Sequence, residues 1–464
     1  MKNTNHSNYE SPFSWRYGSE DMRKIFSNDN KYRLWRKIWV ELARAQSREG
    51  LVGKEELEDL EKNQEDLDIE RIWEIEKDTR HDVVAAIKEF AEKAKVGGGK
   101  IHLGATSMDI SDNAETIRIS EALNIIEKEL ISLLKVFGKK IEQYADFVSM
   151  GYTHLQPAEP TTLGYRFAFY AQDLLLDLEL LRFVKKNLKA KGMKGAVGTS
   201  ASYIKLLGEK AEKMELEVLE GIGGLEAFDV TNQTSPRKIE IWVGNLLSSI
   251  AQSLYKFAFD LRIMQSSGFG EWQELFTKSQ VGSSAMPFKK NPVKAEQICS
   301  LARLVVSLSR IPWDNAAHML LERTLDDSAN RRVAIPEMFL ATNEILISAA
   351  NIIEGLTIND KQIMKNLDTY WPFSASEGII IEAVKKGANR QKIHEILRGI
   401  SMKAWDAIQN GEVNPMEDLL TSNPEIGKYF KSAEIDQILD AKNHTGNAKD
   451  KALTIVKEIR NVVK

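Results

Sequence analysis

Eleven residues, Gly282-Ser283-Ser284-Ala285-Met286-Pro287-Phe288-Lys289-Lys290-Asn291-Pro292, place hydroxyls and cations on a flexible backbone just ahead of a helical stretch. Gly282 and the serines give the segment freedom, Pro287 and Pro292 punctuate it, and Lys289, Lys290 and Asn291 offer donors to an anion. Read plainly, it is a basic surface loop; as a whole string it is too particular for that. His154 lies in Tyr152-Thr153-His154-Leu155-Gln156-Pro157-Ala158-Glu159-Pro160, a polar, proline-broken corner between two helical patterns. A histidine there suits proton transfer, although an isolated one is more often a cap or a surface residue. Glu322-Arg323-Thr324-Leu325-Asp326-Asp327-Ser328-Ala329-Asn330-Arg331-Arg332 is densely charged, and its arginines can pair with Asp326 and Asp327 on the surface or meet an anionic ligand.

These segments hang on helices. From Glu115 the apolar residues Ile119, Leu123, Ile126, Leu130, Leu133, Phe137 and Ile141 recur at steps of three and four. A second helix runs from about Tyr165 and stops before Gly192, and a third carries Ile239 to Met264 and stops at Ser266-Ser267-Gly268. Two more follow, one after Pro292 and one through Ile335 to Ile353. The longest would span roughly 40 Å. Such lengths predict an all-α fold with a long central bundle, flanked by smaller helical domains: residues 1–110, 111–360 and 361–464. The polar turn Thr106 to Asn113 marks the first boundary, and shorter amphipathic pieces are expected after Lys361. Ile117, Ile125, Leu134, Leu175 and Phe183 widen the apolar stripes, which fits subunit packing or burial within one large chain.

Composition narrows the partners. With 464 residues and a formal charge of -4 the chain has no global field for nucleic acid or an acidic membrane, so an anionic ligand needs a local cation cluster. One cysteine, Cys299, allows no intrachain disulfide, and a cytoplasmic location is the default expectation. The segment Met1 to Glu10 has no signal-peptide core, and no apolar run reaches the length of a membrane span. The seven histidines show no metal-ligand spacing, and neither metal nor cofactor is expected.

The Gly282–Pro292 string resembles the mobile catalytic loop of the fumarase/aspartase superfamily. Thr153-His154-Leu155-Gln156-Pro157-Ala158, Thr79-Arg80-His81-Asp82 and His102-Leu103-Gly104-Ala105-Thr106-Ser107 are similar to three further superfamily segments. Glu322 to Arg332, Ser11 to Ser19 and Asn232 to Lys238 resemble the adenylosuccinate lyase branch, and the likeness runs from near residue 9 to about 360. It implies elimination of fumarate from adenylosuccinate, giving AMP, and from the succinyl-carboxamide ribotide, in purine nucleotide synthesis. It implies Ser283 as general base and His154 as general acid, oriented by Glu296, with His81 and Asp82 on the leaving-group side. Lys289 and Asn291 would stabilise the charge that develops on a carboxylate. Thr106, Ser107 and Gln233 would hold the succinyl end, His102 would lie in the substrate site, and Arg16, Tyr17, Arg323, Ser328 and Arg332 would hold phosphate and base. It further implies a homotetramer with active sites shared between subunits, since His81, His154 and Ser283 lie at ends of different long helices. Gln297, where vertebrate-type members carry arginine, and Phe288, where Tyr or His is frequent, depart from the pattern. Argininosuccinate lyase or aspartase chemistry, a muconate-type cycloisomerase, and a catalytically silent helical scaffold are the rival readings.

Overall fold

The computed structural model describes residues 7–277 and 279–463. The fold is all-α apart from two short antiparallel strand pairs among the described residues. The five helices expected from the pattern are Ser107–Gln143, Leu163–Lys186, Lys238–Met264, Val293–Leu308 and Asp327–Gly355. A further long helix, Asp360–Lys385, replaces the short pieces expected after Lys361; the internal Pro372 and its polar, small residues hide its periodicity.

The chain forms two units. One comprises the chain up to Leu130, Asp177–Gln252 and Ser300–Ile347; the other comprises Ile131–Leu176, Ser253–Cys299 and the chain from Ser348. In the first unit, helix Asn28–Arg48 is capped by Ser27, whose Oγ accepts from the Asn30 N–H at 3.1 Å. It buries Leu34, Trp35, Ile38 and Trp39 against Ile72, Val83 and Phe90 of the following helices. The first long helix starts at Ser107 rather than Glu115, so the expected polar turn at 106–113 is part of the helix. Its polar residues are there because they are buried and paired. Asp109 takes the Lys191 ammonium, the N–H groups of Lys194 and Gly195 at 3.1 Å each and the Tyr203 hydroxyl at 3.1 Å. Asn113 exchanges two hydrogen bonds with the Gly192 backbone.

In the second unit, strands β1 (Val148–Thr153) and β2 (Gln156–Thr162) form a hairpin where a proline-broken corner was expected. Its two turn residues, His154 and Leu155, have φ of 55° and 60°, the left-handed pair that matches strand twist in a two-residue hairpin. Met150 packs with Leu367, Trp371 and Ala375, and the Ser374 hydroxyl donates to the Ala158 carbonyl. The C-terminal part buries Ile379, Ile393, Leu397, Leu420 and Ile426 in a core of its own.

Helix Asp327–Gly355 is long and apolar enough by length and composition to cross a membrane, contrary to the sequence expectation. Its apolar run includes Ala334, Met338, Phe339, Ile345 and Leu346, each fully buried in the protein, as befits a core helix.

Candidate active site

A cleft of about 670 Å³ opens in the first unit, and the N-terminal turns of four helices line it. Asn28 opens helix Asn28–Arg48, Asp82 opens Asp82–Lys93 with His81 as its cap, Ser107 opens Ser107–Gln143 with Thr106 just before it, and Ser328 is in the first turn of Asp327–Gly355. Each helix start carries unsatisfied N–H groups and the positive end of its dipole, so the four together favour an anion. Sequence reading named most of these residues without seeing that they share this geometry.

Of the candidate residues, His81, Asp82, Thr106, Ser107, Gln233, Arg323, Ser328 and Arg332 all line this cleft. His81 caps helix Asp82–Lys93 after Arg80, which ends the preceding helix at φ 51°. Its Nδ1 accepts from the Val84 N–H at 3.4 Å, so the neutral ring carries its proton on Nε2. Asp82 takes the Arg332 guanidinium at 2.7 Å and the Val83 N–H at 2.8 Å. Burial opposes its charge, but Arg332 and Lys31 outweigh burial and hold its carboxyl below the usual range.

A charge framework of buried residues runs into the cleft wall, where surface pairing was one of two readings of the 322–332 segment. Arg237 binds Asp327 at 2.9 Å and Asp112 at 3.0 Å, with all three side chains buried. Arg331 grips Glu240 through Nε and Nη2, and Arg323 binds the other oxygen of Asp327 at 2.8 Å. Burial opposes the charge on Asp112, yet Arg237 and Arg331 hold its carboxyl below the usual range. Asp327 therefore anchors the helix that carries Ser328 and Arg332.

Arg16, Tyr17 and His102 belong to the same unit but do not line this cleft. The Arg16 guanidinium lies 5.7 Å from the ring centroids of both Trp15 and Tyr17. His102 accepts from the Trp39 indole N–H at 3.0 Å, and burial pushes its pKa down to about 4 despite the nearby Asp109. It is a neutral acceptor in this setting.

His154, Ser283, Lys289, Asn291 and Glu296 belong to the second unit. His154 is exposed at the hairpin tip. The hairpin below it is tied down by Tyr152, whose hydroxyl donates to Glu271 at 3.0 Å, and by Arg166, which donates to the Met150 carbonyl at 2.6 Å. Ser283 Oγ accepts from the Ala285 and Met286 N–H groups at 3.3 and 3.0 Å. The two bonds form a local serine turn that fixes the direction of the hydroxyl. Asn291 donates to the Gly282 carbonyl at 3.0 Å and so closes the base of the loop, where any Cβ on Gly282 would collide with the Lys289 carbonyl. Lys289 and Glu296 are exposed.

Sequence reading missed Glu274, a buried carboxylate that accepts from the Lys294 and Ala295 N–H groups at 3.2 and 2.6 Å. It caps the helix that follows the Ser283 loop. It also missed Lys31, which lines the cleft and stands over two aromatic rings. The signal was available, since Tyr32 and Trp35 flank Lys31 at the adjacent and i+4 positions. Among the described residues no three His, Cys, Asp or Glu side chains converge as a metal site.

A family model described as Lyase matches residues 16–307, and one described as Adenylosuccinate lyase C-terminus matches residues 372–452. Adenylosuccinate lyase of Saccharomyces cerevisiae is 37% identical over 468 residues, covering 99% of this chain and 96% of its own. The enzyme of that name from Methanocaldococcus jannaschii is 37% identical over 454 residues, covering 97% and 96%. Among solved structures, 3-carboxy-cis,cis-muconate lactonizing enzyme from Pseudomonas putida superposes with a TM-score of 0.86 at 23% identity, covering 97% of this chain and 99% of that one. The last likeness is one of fold.

Proposed function

The chain belongs to the adenylosuccinate lyase family, and we propose that it eliminates fumarate from adenylosuccinate, leaving AMP, and from the succinyl-carboxamide ribotide, leaving the carboxamide ribotide. The observation that carries this reading is identity of 37% sustained over 99% of the chain. The cleft of four helix starts and several arginines suits a substrate with two carboxylates and a phosphate.

In this reading Ser283 takes the proton from the carbon beside a succinyl carboxylate. The electron pair left behind forms the fumarate double bond as the carbon–nitrogen bond breaks. His154 supplies the proton that the departing nitrogen needs, oriented by Glu296. Lys289, Asn291 and loop N–H groups balance the charge that builds on the carboxylate, the point at which preorganised donors have most effect. The two N–H bonds on Ser283 Oγ hold its hydroxyl in one direction within the loop. His81 offers Nε2–H at the leaving-group side. Thr106, Ser107 and Gln233 hold the succinyl end, and Arg323, Ser328 and Arg332, with Arg16, Tyr17 and His102, complete the substrate site. No metal or cofactor enters this scheme.

We take the working form to be a cytoplasmic homotetramer in which His81, His154 and Ser283 of each pocket come from different subunits. Support comes from helix Leu163–Lys186, which leaves Tyr165, Phe169, Leu176, Leu180 and Phe183 exposed along its length. A row of large apolar groups on one helix calls for a partner surface. Of the residues that widen the apolar stripes, Ile117, Leu134 and Leu175 follow the other reading and are buried within the chain. Residues 1–110, 111–360 and 361–464 serve as N-terminal, central and C-terminal domains, and the C-terminal family match at 372–452 falls inside the last.

Incubation of the purified protein with each ribotide tests the function: equal amounts of fumarate and of the matching ribotide should form. Absence of both products from both substrates would refute it.

A further inference from the structure

We propose that Lys31 is a substrate-binding cation of the first-unit cleft, receiving the phosphate of the ribotide; the inference rests on the proposed function and adds a residue to its site. Four cations in the cleft wall are not exposed: Lys31, Arg118, Arg323 and Arg331. Three of them donate to carboxylates at hydrogen-bond distance, Arg118 to Glu115, Arg323 to Asp327 and Arg331 to Glu240. Lys31 does not. Its nearest carboxylate oxygen is Asp82 Oδ2 at 3.9 Å, and that oxygen already accepts from Arg332 at 2.7 Å. Among the described residues the ammonium has no hydrogen-bond acceptor, and its side chain is only 17% exposed.

The ammonium is instead held in place by π faces, 4.6 Å from the Tyr32 centroid and 4.5 Å from that of Trp35. Those rings orient the charge without using its three donors. Lys31 is also in the first turns of helix Asn28–Arg48, whose start lines the same cleft and favours the same sign of ligand. An ammonium with free donors, fixed beside a positive helix end, fits a compact anion of high charge. A phosphate monoester approaches two negative charges above its second pKa of about 6, whereas each succinyl carboxylate carries one. Phosphate is therefore the group that gains most from Lys31.

The groups facing Lys31 are Asp82 and Glu76, which favour its charge, and Arg332 and Arg118, which oppose it; burial dominates and lowers its pKa to about 8. A bound dianion favours the protonated amine, so affinity for phosphate holds below about pH 8 and falls as pH rises through it.

The test compares wild type, Lys31→Met and Lys31→Arg. Lys31→Met should raise KM for adenylosuccinate about tenfold or more with kcat changed less than about threefold. It should leave kcat/KM for the dephosphorylated succinyl nucleoside within about twofold, because that substrate lacks the group Lys31 meets. Inhibition by inorganic phosphate or AMP should weaken, and inhibition by succinate should not. In Lys31→Arg the loss of AMP affinity above pH 8 should disappear, since guanidinium stays charged. Calorimetric binding of AMP gives the same comparison in a protein without turnover, which separates failure of this inference from failure of the proposed function. Equal losses for the nucleotide and nucleoside substrates, or AMP affinity in Lys31→Arg that falls above pH 8 as in wild type, would overturn it. Should Lys31→Met not fold, the Lys31→Arg profile decides alone.

Discussion

Arg332 donates to Asp82 at 2.7 Å, joining residues 250 positions apart in sequence at the mouth of one cleft. The pair links the Thr79-Arg80-His81-Asp82 segment to the arginine-rich segment at 322–332, two of the strings that sequence reading singled out separately. Arg332→Ala leaves Asp82 with Lys31 alone as a counter-charge and adds repulsion against an anionic substrate. We expect KM for adenylosuccinate to rise about tenfold or more, the effect of one charge-assisted contact. An unchanged KM would remove Arg332 from the substrate site.

Ser283→Ala should abolish most turnover and leave AMP affinity close to wild type, because a base acts in the transition state. Lys289→Met should both raise KM and lower kcat, because its charge serves substrate and transition state alike. Steady-state kinetics with AMP binding separates the two patterns. Near-normal turnover in Ser283→Ala would assign the base elsewhere.

Arg237 tests the framework behind the cleft. Its guanidinium serves Asp112 and Asp327, and both carboxylates are buried. Arg237→Met leaves them without it, a change that costs on the order of 3–5 kcal/mol when one partner of a buried pair is lost. Denaturant unfolding should show a clear fall in midpoint. A loss below about 1 kcal/mol would mean that water reaches these carboxylates.

The hairpin turn gives a finer test. Leu155 holds φ of 60°, a region that glycine enters freely and that β-branched residues resist. Leu155→Gly should match or exceed wild-type stability, and Leu155→Val should fall below Leu155→Gly by about 1 kcal/mol or more. The reverse order would contradict the left-handed turn that presents His154.

Much of this was legible in the chain. The apolar spacing from Ile119 to Ile141 gave a long helix, and eight of the proposed substrate and catalytic residues line one cleft. What was hidden has a common physical cause: polar residues whose partners are distant in sequence. Asp109, Asp112 and Asn113 read as a turn because they are polar, yet they meet Lys191, Arg237 and Gly192 in the interior. The prolines at 157 and 160 argued against strands, but a two-stranded hairpin accepts proline at positions that need no donor. Asp327, for which surface pairing was one reading, is buried for the same reason.

Sharing of sites between subunits predicts complementation. Ser283→Ala and His154→Ala proteins, each inactive alone, should recover part of the activity when dissociated and reassembled together, because some pockets then receive both intact residues. Hybrids that form and stay inactive would place the two residues in one subunit's pocket.

The central claim is tested most directly by fumarate release from a panel of substrates, followed by its ultraviolet absorbance and by chromatography of the second product. The account predicts fumarate with AMP from adenylosuccinate, and none from argininosuccinate or aspartate. Fumarate from either of the latter, with adenylosuccinate left intact, would contradict it.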